Sequence, residues 1–438
     1  MVKVLKFGGS SLADAEHFRK AAAIIKSDPA NRFVVASAPG KRFPEDIKVT
    51  DLLLECYRLA RAKQPIDEPF GQIEDRFRQI IADLGLNLSL ESEFATIRLV
   101  IKNRAGRDYV ASRGEYLNSM ILAEYLGYAF LDAEDSIFFT EEGTLDLART
   151  DESLEVLLEE AGSAVIPGFY GSMPNGTVRT FSRGGSDITG SIVARAAKAD
   201  LYENWTDVSG MLMADPRVVK NPEPIPYITY RELRELSYMG ASVMHEEAIF
   251  PVREAGIPIN IRNTNCPDAP GTMIVASNDQ AAAPTRVITG IAGKTGFSAI
   301  YVEKALMNGQ LGFGRRVLQV LEDNGISFEH LPSGIDTMTV VVETSALEPH
   351  REAVVSSLNK KISPDHLHIH DDLALIAVVG RGMVSAEGTA FRVFKALAEA
   401  KVNVRMIDQG SSELNIIVGI NAADYATALD AIYREFVK

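Results

Sequence analysis

Short apolar strands and amphipathic helices alternate along the first 280 residues of this 438-residue chain. The pattern begins with a buried strand over 2–6 and a helix over 14–26, on which Phe18, Ala22 and Ile25 share one face. We predict further strands at 32–37, 163–166, 200–203 and 258–261, and further helices at 50–62, 68–84, 115–126 and 187–199. Such alternation is typical of a mainly parallel sheet with helices on both faces, so we predict an α/β fold.

The composition of the sequence changes near residue 280. An alanine-rich polar stretch over 276–285 is expected to be a linker, and two similar segments follow it. Segment 293–370 has strand and helix patterns in the order βαββαβ, whereas segment 371–438 has only βαββα. The strand predicted at 286–292 is then left over, and an open sheet edge would be prone to association. We therefore predict three domains, 1–280, 293–370 and 371–438, with strand 286–292 completing the third.

The charge balance and the cysteine count argue against several classes of protein. Lysine and arginine number 45 and aspartate and glutamate 59, and the net charge of −14 disfavours a nucleic-acid or anionic-membrane partner. Lys3 and Lys6 interrupt the only early apolar run, so no signal peptide is expected, and no apolar stretch is long enough to span a bilayer. Cys56 and Cys266 match no metal-binding spacing and are expected to be thiols in a reducing cytoplasm.

The first strand leads into a glycine turn, Lys6-Phe-Gly-Gly-Ser-Ser11. A lysine beside backbone amides at a helix N-terminus suits phosphate, although the same residues also suit an ordinary tight turn. A second glycine loop over 181–187 also precedes a predicted helix, and two such loops suit a substrate with several phosphates. Within it, Arg183 suits a carboxylate, and Asp187 could orient Lys6, an amino group or a metal.

A third polar segment, 204–217, contains Thr206-Asp-Val and Asp215-Pro-Arg217. One interpretation is a polar loop that follows a strand. The other is a nucleoside-binding edge, in which Asp207 would contact the base or ribose and Arg217 a phosphate.

Five short motifs occur along the chain in order, at 6–11, 112–115, 182–187, 206–208 and 215–217. Together they resemble the aspartokinases, which belong to the amino-acid kinase family. Residues 329–336 and 406–413 are similar to the paired ACT regulatory domains of these proteins. The resemblance covers essentially the whole chain. It implies a three-layer α/β/α sandwich, the amino-acid kinase catalytic domain, followed by two βαββαβ ferredoxin-like ACT domains.

The resemblance also implies a reaction, in which ATP and L-aspartate give ADP and 4-phospho-L-aspartate, the first step towards lysine, threonine and methionine. Mg²⁺ would bridge the ATP phosphates. The implied catalytic residues are Lys6 and Asp187. The implied aspartate site consists of Ser37, Thr50, Glu115, Arg183 and Ser186. The implied ATP site consists of Lys6, Phe7, Gly8, Gly9, Ser10, Thr206, Asp207, Arg217, Ser242 and Val243. In this scheme Arg183 holds the α-carboxylate of aspartate and Glu115 holds its amino group.

The residue chemistry agrees with such a reaction. The nucleophile is a carboxylate that is already ionised at neutral pH, so no general base is required. Phosphoryl transfer then depends on positioning and on neutralising charge. His17 and His245 are the histidines of segment 1–280, and both lie outside the glycine loops. A hydrolase that relies on a histidine base would fit this sequence poorly.

Two positions depart from the pattern of many aspartokinases. Leu212 stands where a tyrosine is common, and Ser242 stands where a nucleotide-contacting lysine is common. Both departures fall on the ATP side of the implied site. They are compatible with an alternative function, a catalytically silent amino-acid sensor of the same fold. A second alternative is a related kinase that acts on another amino acid or small acid.

Two further patterns resemble binding sites but are not interpreted as such. Ala292-Gly-Lys-Thr295 resembles the end of a P-loop, but Ile288 stands where that motif requires glycine. His366, His368 and His370 share one face of a predicted strand, but no cysteine or fourth ligand is obvious nearby. We therefore favour an exposed strand face and predict no protein metal site.

The resemblance to ACT domains implies an amino-acid effector and assembly of several subunits. The residues that would meet the effector are Met307, Asn308, Ser327, Glu329, Ser333 and Asp336. The implied effector is lysine, with threonine as the alternative. Glu329 and Asp336 favour a cationic side chain by charge matching, although either could serve the α-amino group or be a solvated loop residue. A homodimer or tetramer formed through the ACT domains is expected.

Overall fold

The structure is a computed structural model that describes residues 1–182, 184–241, 244, 248–276 and 286–437. The chain divides into two compact units. The N-terminal unit consists of Met1–Met211, Pro224–Tyr230 and Val243–Ala282. The C-terminal unit consists of Leu212–Glu223, Arg231–Ser242 and Ala283–Lys438.

The N-terminal unit is built around one large sheet. Its described strands are β1 (Lys3–Phe7), β2 (Asn31–Ala36), β3 (Ala129–Phe130), β4 (Ala164–Pro167), β5 (Tyr170–Ser172), β6 (Val178–Thr180), β7 (Leu201–Thr206), β8 (Tyr227–Thr229), β9 (Ile259–Asn263) and β10 (Thr272–Val275). The sheet has the order β3-β4-β2-β1-β7-β9-β10-β8, and its strand pairs are parallel except β9 with β10. Strands β5 and β6 form a separate antiparallel pair.

Helices cover both faces of this sheet. They are α1 (Ala15–Lys26), α2 (Val49–Arg61), α3 (Asp67–Leu84), α4 (Glu91–Lys102), α5 (Arg107–Leu126), α6 (Ala133–Ser136), α7 (Leu147–Ala161), α8 (Gly185–Ala196) and α10 (Phe250–Ala255). Helix α9 (Tyr230–Tyr238) belongs almost entirely to the C-terminal unit. Helices α1 to α5 share one hydrophobic core with Leu5, Phe7 and Val34. Helix α8 contacts β1, β2 and β7, and α7 and α10 pack against α8. Side chains alternate along a strand, so Lys6 faces α8 while Leu5 and Phe7 face the opposite layer.

The predicted α/β fold with a mainly parallel sheet is confirmed. The helix predicted at 115–126 begins earlier, at Arg107. Helices α4 and α7 and the β5–β6 pair were not predicted. Helix α3 ends where Gly85 adopts a φ of 68°, a left-handed conformation that glycine tolerates without a Cβ penalty.

The C-terminal unit contains one antiparallel sheet in the order β12-β11-β13-β15-β14. Its strands are β11 (Gly290–Glu303), β12 (Thr337–Glu343), β13 (His366–Val379), β14 (Val404–Asp408) and β15 (Asn415–Asn421). Its helices are α11 (Phe313–Asp323), α12 (Thr344–Leu347), α13 (Arg351–Ile362), α14 (Thr389–Glu399) and α15 (Tyr425–Val437). Helices α11 and α13 share a core with Ile300, Val302 and Val340.

Two long strands join the two halves of this sheet. The strand predicted at 286–292 begins at Gly290 and continues to Glu303. Its first part, 290–295, pairs with 374–379, and its later part pairs with both β12 and the beginning of β13. The prediction that strand 286–292 completes domain 371–438 requires this pairing. The domain boundaries themselves stay a prediction. One strand of the βαββαβ order predicted for segment 293–370 is the apolar pattern at 326–331. That strand prediction was wrong, because the described pairing in this region consists of isolated bridges, His330 with Val341 and Ser333 with Met338.

Two segments that were predicted to be part of the first domain belong instead to the C-terminal unit. The sequence did not predict this assignment. In segment 212–223, the Met213 carbonyl accepts a hydrogen bond from the Ile291 amide at 2.7 Å. In segment 231–242, the Glu232 carboxylate is 1% exposed and accepts hydrogen bonds from the Thr289 hydroxyl and the Arg381 amide at 2.6 and 3.1 Å. Polar contacts that satisfy a buried carboxylate stabilise such packing.

Candidate active site

Lys6, Asp187 and Asn204 form a compact polar cluster on the α8 side of the central sheet. The register of β1 against β7 places Lys6 beside Asn204. The Lys6 Nζ lies 2.6 Å from Asp187 Oδ1, and their side chains are only 10% and 15% exposed. The Asn204 amide nitrogen donates to the same Asp187 oxygen at 3.1 Å. The lysine ammonium is therefore held in a fixed position by a nearly buried charge-assisted hydrogen bond.

The glycine turn after β1 leaves space beside this ammonium. Residues Gly9–Leu12 form a single 3-10 turn, and the Gly8 amide donates to the Trp205 carbonyl at 3.0 Å. A Cβ added at Gly8 would lie 3.6 Å from Lys6 Nζ, so glycine keeps this space open. Helix α1 begins after this turn, and the Asp14 carboxylate caps it by accepting from the His17 amide.

The loop after β2 packs directly against the glycine turn. The Gly40 amide donates to the Gly9 carbonyl at 2.8 Å, and a Cβ at Gly40 would lie 2.6 Å from the Gly9 carbonyl carbon. The Ser37 amide donates to the Phe7 carbonyl at 3.1 Å. The two loops therefore meet at the carboxyl edge of the parallel strands, the usual place for ligands in such sheets.

Glu115 lies under the loop that follows β2. Gly114 allows this approach, since a Cβ there would lie 2.8 Å from the Ala38 Cβ. The Glu115 carboxylate is buried and accepts a hydrogen bond from the Ala38 amide, while its Oε2 has no partner among the described residues. Burial raises the pKa of Glu115 to about 8. A buried carboxylate with a free oxygen is suited to receive a cation.

The other predicted aspartate-site residues lie near the same edge. Asn118 donates from its side chain to the Ser37 carbonyl at 2.8 Å. The Gly168 amide donates to the Ala36 carbonyl at 3.0 Å. Ser186 lies close to Gly168, since a Cβ added at Gly168 would be 2.6 Å from the Ser186 hydroxyl oxygen. Thr50 is half-buried in the first turn of α2. Arg183 lies outside the described residues.

The predicted nucleotide-site residues belong to both compact units. Thr206 is half-buried and Asp207 exposed, and the Thr206 hydroxyl donates to the Asp207 carboxylate at 3.2 Å. Arg217 belongs to the C-terminal unit, is 87% exposed, and pairs with Asp215 at 2.7 Å. Ser242 and Val243 lie outside the described residues.

The predicted effector residues lie around two loops of the C-terminal unit. The Asp336 carboxylate accepts from the Leu306 amide at 2.8 Å, and the Asn308 amide donates to the Ile335 carbonyl at 3.1 Å. Glu329 accepts a hydrogen bond from the Tyr238 hydroxyl. The remaining members are buried Met307 and exposed Ser327 and Ser333.

The histidines of β13 are exposed and lie side by side. The ring centroids of His366 and His368 are 6.3 Å apart, and those of His368 and His370 are 6.4 Å apart. In the part of the chain that the structure describes, no group of three or more histidine, cysteine or acidic side chains is arranged to hold a metal ion.

Comparison with known proteins identifies the family. An amino acid kinase family model matches residues 1–263, and an ACT domain model matches residues 376–436. Aspartokinase 3 of Bacillus subtilis is 42% identical over 99% of this chain and 98% of that protein. The chain belongs to the aspartokinases. The crystal structure of Clostridium acetobutylicum aspartate kinase is 49% identical, with a TM-score of 0.95 over 99% of this chain and 100% of that one.

A more distant aspartokinase shares the fold. Escherichia coli aspartokinase III, solved in complex with aspartate and ADP, is 24% identical and has a TM-score of 0.77. The three-layer catalytic fold with C-terminal ACT domains is thereby confirmed for this chain, and its enzyme class is aspartate kinase. None of its helices within the described ranges has the length and apolar character that crossing a membrane requires.

Some residues of this aspartokinase site were not found from the sequence. Asn204 contacts Asp187, and Asn118 contacts the backbone of Ser37. Asn118 lies only three positions after Glu115, on the buried side of α5, so its spacing along the helix could have indicated it. Asn204 offers no such signal, because only the pairing of β1 with β7 places it beside Lys6.

Proposed function

We propose that the chain transfers the γ-phosphoryl group of ATP to the side-chain carboxylate of L-aspartate and releases 4-phospho-L-aspartate and ADP. The observation that carries this proposal is the Lys6 ammonium, held 2.6 Å from Asp187 beside the open space at Gly8. The complex of aspartate and ADP with E. coli aspartokinase III supports the choice of ligands, since that protein has the same fold.

In this reaction the aspartate carboxylate attacks the γ-phosphorus of ATP. The bond between the γ-phosphorus and the oxygen that bridges it to the β-phosphate breaks, and ADP leaves. The nucleophile carries no proton at neutral pH, so the chain has no proton to remove. Lys6 neutralises negative charge on the transferring group, and Asp187 fixes the position of Lys6. Catalysis then rests on holding the two substrates in line.

The two substrates occupy opposite sides of the glycine turn. Phe7, Gly8, Gly9 and Ser10 are the proposed contacts of the phosphates, and Gly8, whose amide already donates to the Trp205 carbonyl, would contribute the space left by its missing side chain. On the nucleoside side, the proposed contacts are Thr206, Asp207, Arg217, Ser242 and Val243. On the aspartate side they are Ser37, Thr50, Glu115, Arg183 and Ser186. The buried free oxygen of Glu115 supports its role as acceptor for the aspartate ammonium group.

Mg²⁺ enters this scheme as the metal of MgATP. Magnesium is commonly held by substrate phosphates and water with only one or two protein carboxylates. The described residues fit that arrangement, since the exposed carboxylate of Asp207 is among the proposed nucleotide contacts. The metal would add positive charge at the phosphates that Lys6 also contacts.

A coupled assay of ADP formation tests the proposal directly. We expect release of ADP that depends on aspartate and is not supported by glutamate or by other small acids. A catalytically silent sensor would bind nucleotide or amino acid without forming ADP. A related kinase of other specificity would respond to a different member of the substrate panel.

We further propose that lysine inhibits this activity by binding at the loops around Glu329 and Asp336, with threonine as the alternative effector. E. coli aspartokinase III has been solved in complex with lysine and aspartate in a T-state, and it has the same fold. Asp336 accepts the backbone amide of Leu306, whereas Glu329 accepts the side-chain hydroxyl of Tyr238. We assign the lysine side chain to Glu329, because its partner is a side chain and not the backbone of the loop.

Replacing Glu329 by glutamine should weaken inhibition by lysine. Loss of one charge-assisted contact should raise the half-inhibitory lysine concentration by about tenfold, with the lysine-free rate unchanged. Titration of the ADP assay with lysine, threonine and both together measures this effect. Glu322→Gln, at an exposed position on α11, is the matched control. An unchanged response to lysine in Glu329→Gln would contradict the proposed site.

We propose that the C-terminal unit also joins copies of the chain into a homodimer or tetramer. Strands β12 and β14 lie at the edges of its sheet. Large apolar side chains are exposed in the same unit, at Leu306, Leu311, Ile335, Phe391 and Ile407. Exposed edges and apolar patches are commonly covered by a partner. A monomeric mass by light scattering would contradict this assembly.

A further inference from the structure

Arg76 is a buried arginine that lies outside the five motifs on which the resemblance to aspartokinases rests. It lies on α3, and its side chain is 5% exposed. A buried guanidinium is costly unless its donors are used, so its partners indicate what it stabilises. Its four hydrogen bonds all reach residues that are at least 29 positions away in sequence.

One nitrogen of Arg76 joins the two loops of the candidate site. Nη1 donates to the Ala13 carbonyl at 3.0 Å and to the Gly40 carbonyl at 3.3 Å. Ala13 ends the 3-10 turn that begins at Gly9, and Gly40 is the residue packed against Gly9. Arg76 therefore links the glycine turn and the loop after β2 in addition to their direct contact.

A second nitrogen of Arg76 fixes the remainder of that loop. Nη2 donates to Asp46 Oδ2 at 2.5 Å and to the Ile47 carbonyl at 3.4 Å. Asp46 also accepts from the Arg42 amide and from its guanidinium, each at 2.9 Å. The Arg42 hydrogen bonds hold the pKa of Asp46 well below its usual range, so this carboxylate stays charged. Helix α2, which carries Thr50, begins directly after this loop.

We propose that Arg76 and Asp46 are positioning residues for phosphoryl transfer, which hold the phosphate-side turn and the aspartate-side loop at a fixed separation. This assignment rests on the proposed function. Neither side chain is placed in contact with substrate; they act through the backbone of Ala13, Gly40 and Ile47. Because misplacement of reacting groups by about 1 Å costs up to about a hundredfold in rate, a loose separation would lower kcat without removing any substrate contact.

Arg76→Lys tests the assignment, since lysine keeps the charge but lacks the planar set of donors that reaches four acceptors. We expect kcat to fall by about ten- to a hundredfold, with smaller changes in KM for aspartate and ATP. Arg98→Lys is the matched control. Arg98 lies on α4 and forms ion pairs with Asp67 and Glu74, and neither of these partners belongs to the two loops.

Rescue by added guanidinium separates positioning from general stability. A cavity of about 490 Å³ is lined by Arg76 together with Arg42 and Asp14. In Arg76→Ala a guanidinium ion can therefore reach the vacated site, and millimolar guanidinium should restore part of kcat. The same addition should not raise the activity of Arg98→Ala.

The outcomes distinguish this assignment from the proposed function. A wild-type kcat in folded Arg76→Lys, or an equal loss in Arg98→Lys at the same loss of thermal stability, would overturn the positioning role. If the unaltered chain forms no ADP with aspartate, the proposed function fails instead. The linkage of the two loops is then tested by hydrogen exchange of the Gly40 amide, which donates to the Gly9 carbonyl and should exchange faster in Arg76→Lys than in Arg98→Lys.

Discussion

Replacing Lys6 by alanine is expected to lower kcat for aspartate-dependent ADP formation by about a hundred- to a thousandfold. Removing a fixed donor from a charge that develops during reaction typically has an effect of this size. In this chain the ammonium is nearly buried and fixed by Asp187 at 2.6 Å, so bulk water cannot easily replace it. The measurement is a coupled ADP assay at saturating aspartate and ATP.

The matched control lies on the same strand. Lys3 pairs with Asp28 at 2.8 Å at the opposite end of β1, so Lys3→Ala also removes an ion pair and leaves the site intact. We expect kcat of Lys3→Ala to stay within about twofold of the unaltered chain, because partly exposed ion pairs contribute little to stability. A kcat of Lys6→Ala within tenfold of the unaltered chain would contradict the catalytic role.

Asp187 should act through Lys6, so that the two residues form one functional unit. We expect Asp187→Ala to lower kcat by a similar factor, and Lys6→Ala/Asp187→Ala to be little worse than either single change. Residues that act as a unit show this lack of additivity. Fully multiplied losses in the double variant would indicate that the two residues act separately.

The sequence was sufficient to predict the parts of the site that are local. The turn at Gly8 and Gly9 and the position of Asp187 in the first turn of α8 follow from short motifs beside predicted elements. The α/β alternation likewise follows from local periodicity. These features depend on residues that are neighbours in sequence, so one amino-acid sequence is enough to predict them.

The features that were missed depend on contacts between distant residues. Asn204 reaches Lys6 only through strand pairing, and Arg76 bonds to Ala13 across 63 positions. The long strands β11 and β13 were predicted as separate pieces, because a continuous strand that serves two halves of a sheet has no local signature. Segments 212–223 and 231–242 group with the C-terminal unit for the same reason, since tertiary packing decides such grouping.

The affinity for aspartate should depend on pH through Glu115. Its carboxyl pKa is raised by burial to about 8, so near pH 7 most of the free enzyme carries this group protonated. The aspartate ammonium requires the ionised form, and binding must therefore release a proton. We expect KM for aspartate to fall by about twentyfold between about pH 6.5 and 8.5, with the change levelling off above the pKa.

Glu115→Gln should abolish this dependence and raise KM at the upper end of the range, because the amide cannot neutralise the ammonium. Glu124→Gln, at an exposed position on the same helix, should keep the dependence of the unaltered chain. A pH profile of KM that is the same in Glu115→Gln as in the unaltered chain would assign the proton to another group.

The pH dependence of the free energy of unfolding gives an independent test of the proton on Glu115. The folded-state pKa of Glu115 lies above its ordinary value of 4.5, so between these two values the folded chain binds more protons than the unfolded one. The contribution of Glu115 to the free energy of unfolding is therefore present below about pH 4.5 and declines as pH rises towards 8, by up to about 1.4 kcal/mol per pH unit. Glu115→Gln carries no such proton, so its stability relative to the unaltered chain should increase from pH 5 to pH 8. Denaturant unfolding at the two pH values measures this difference, and a difference that is independent of pH would mean that Glu115 is ionised throughout.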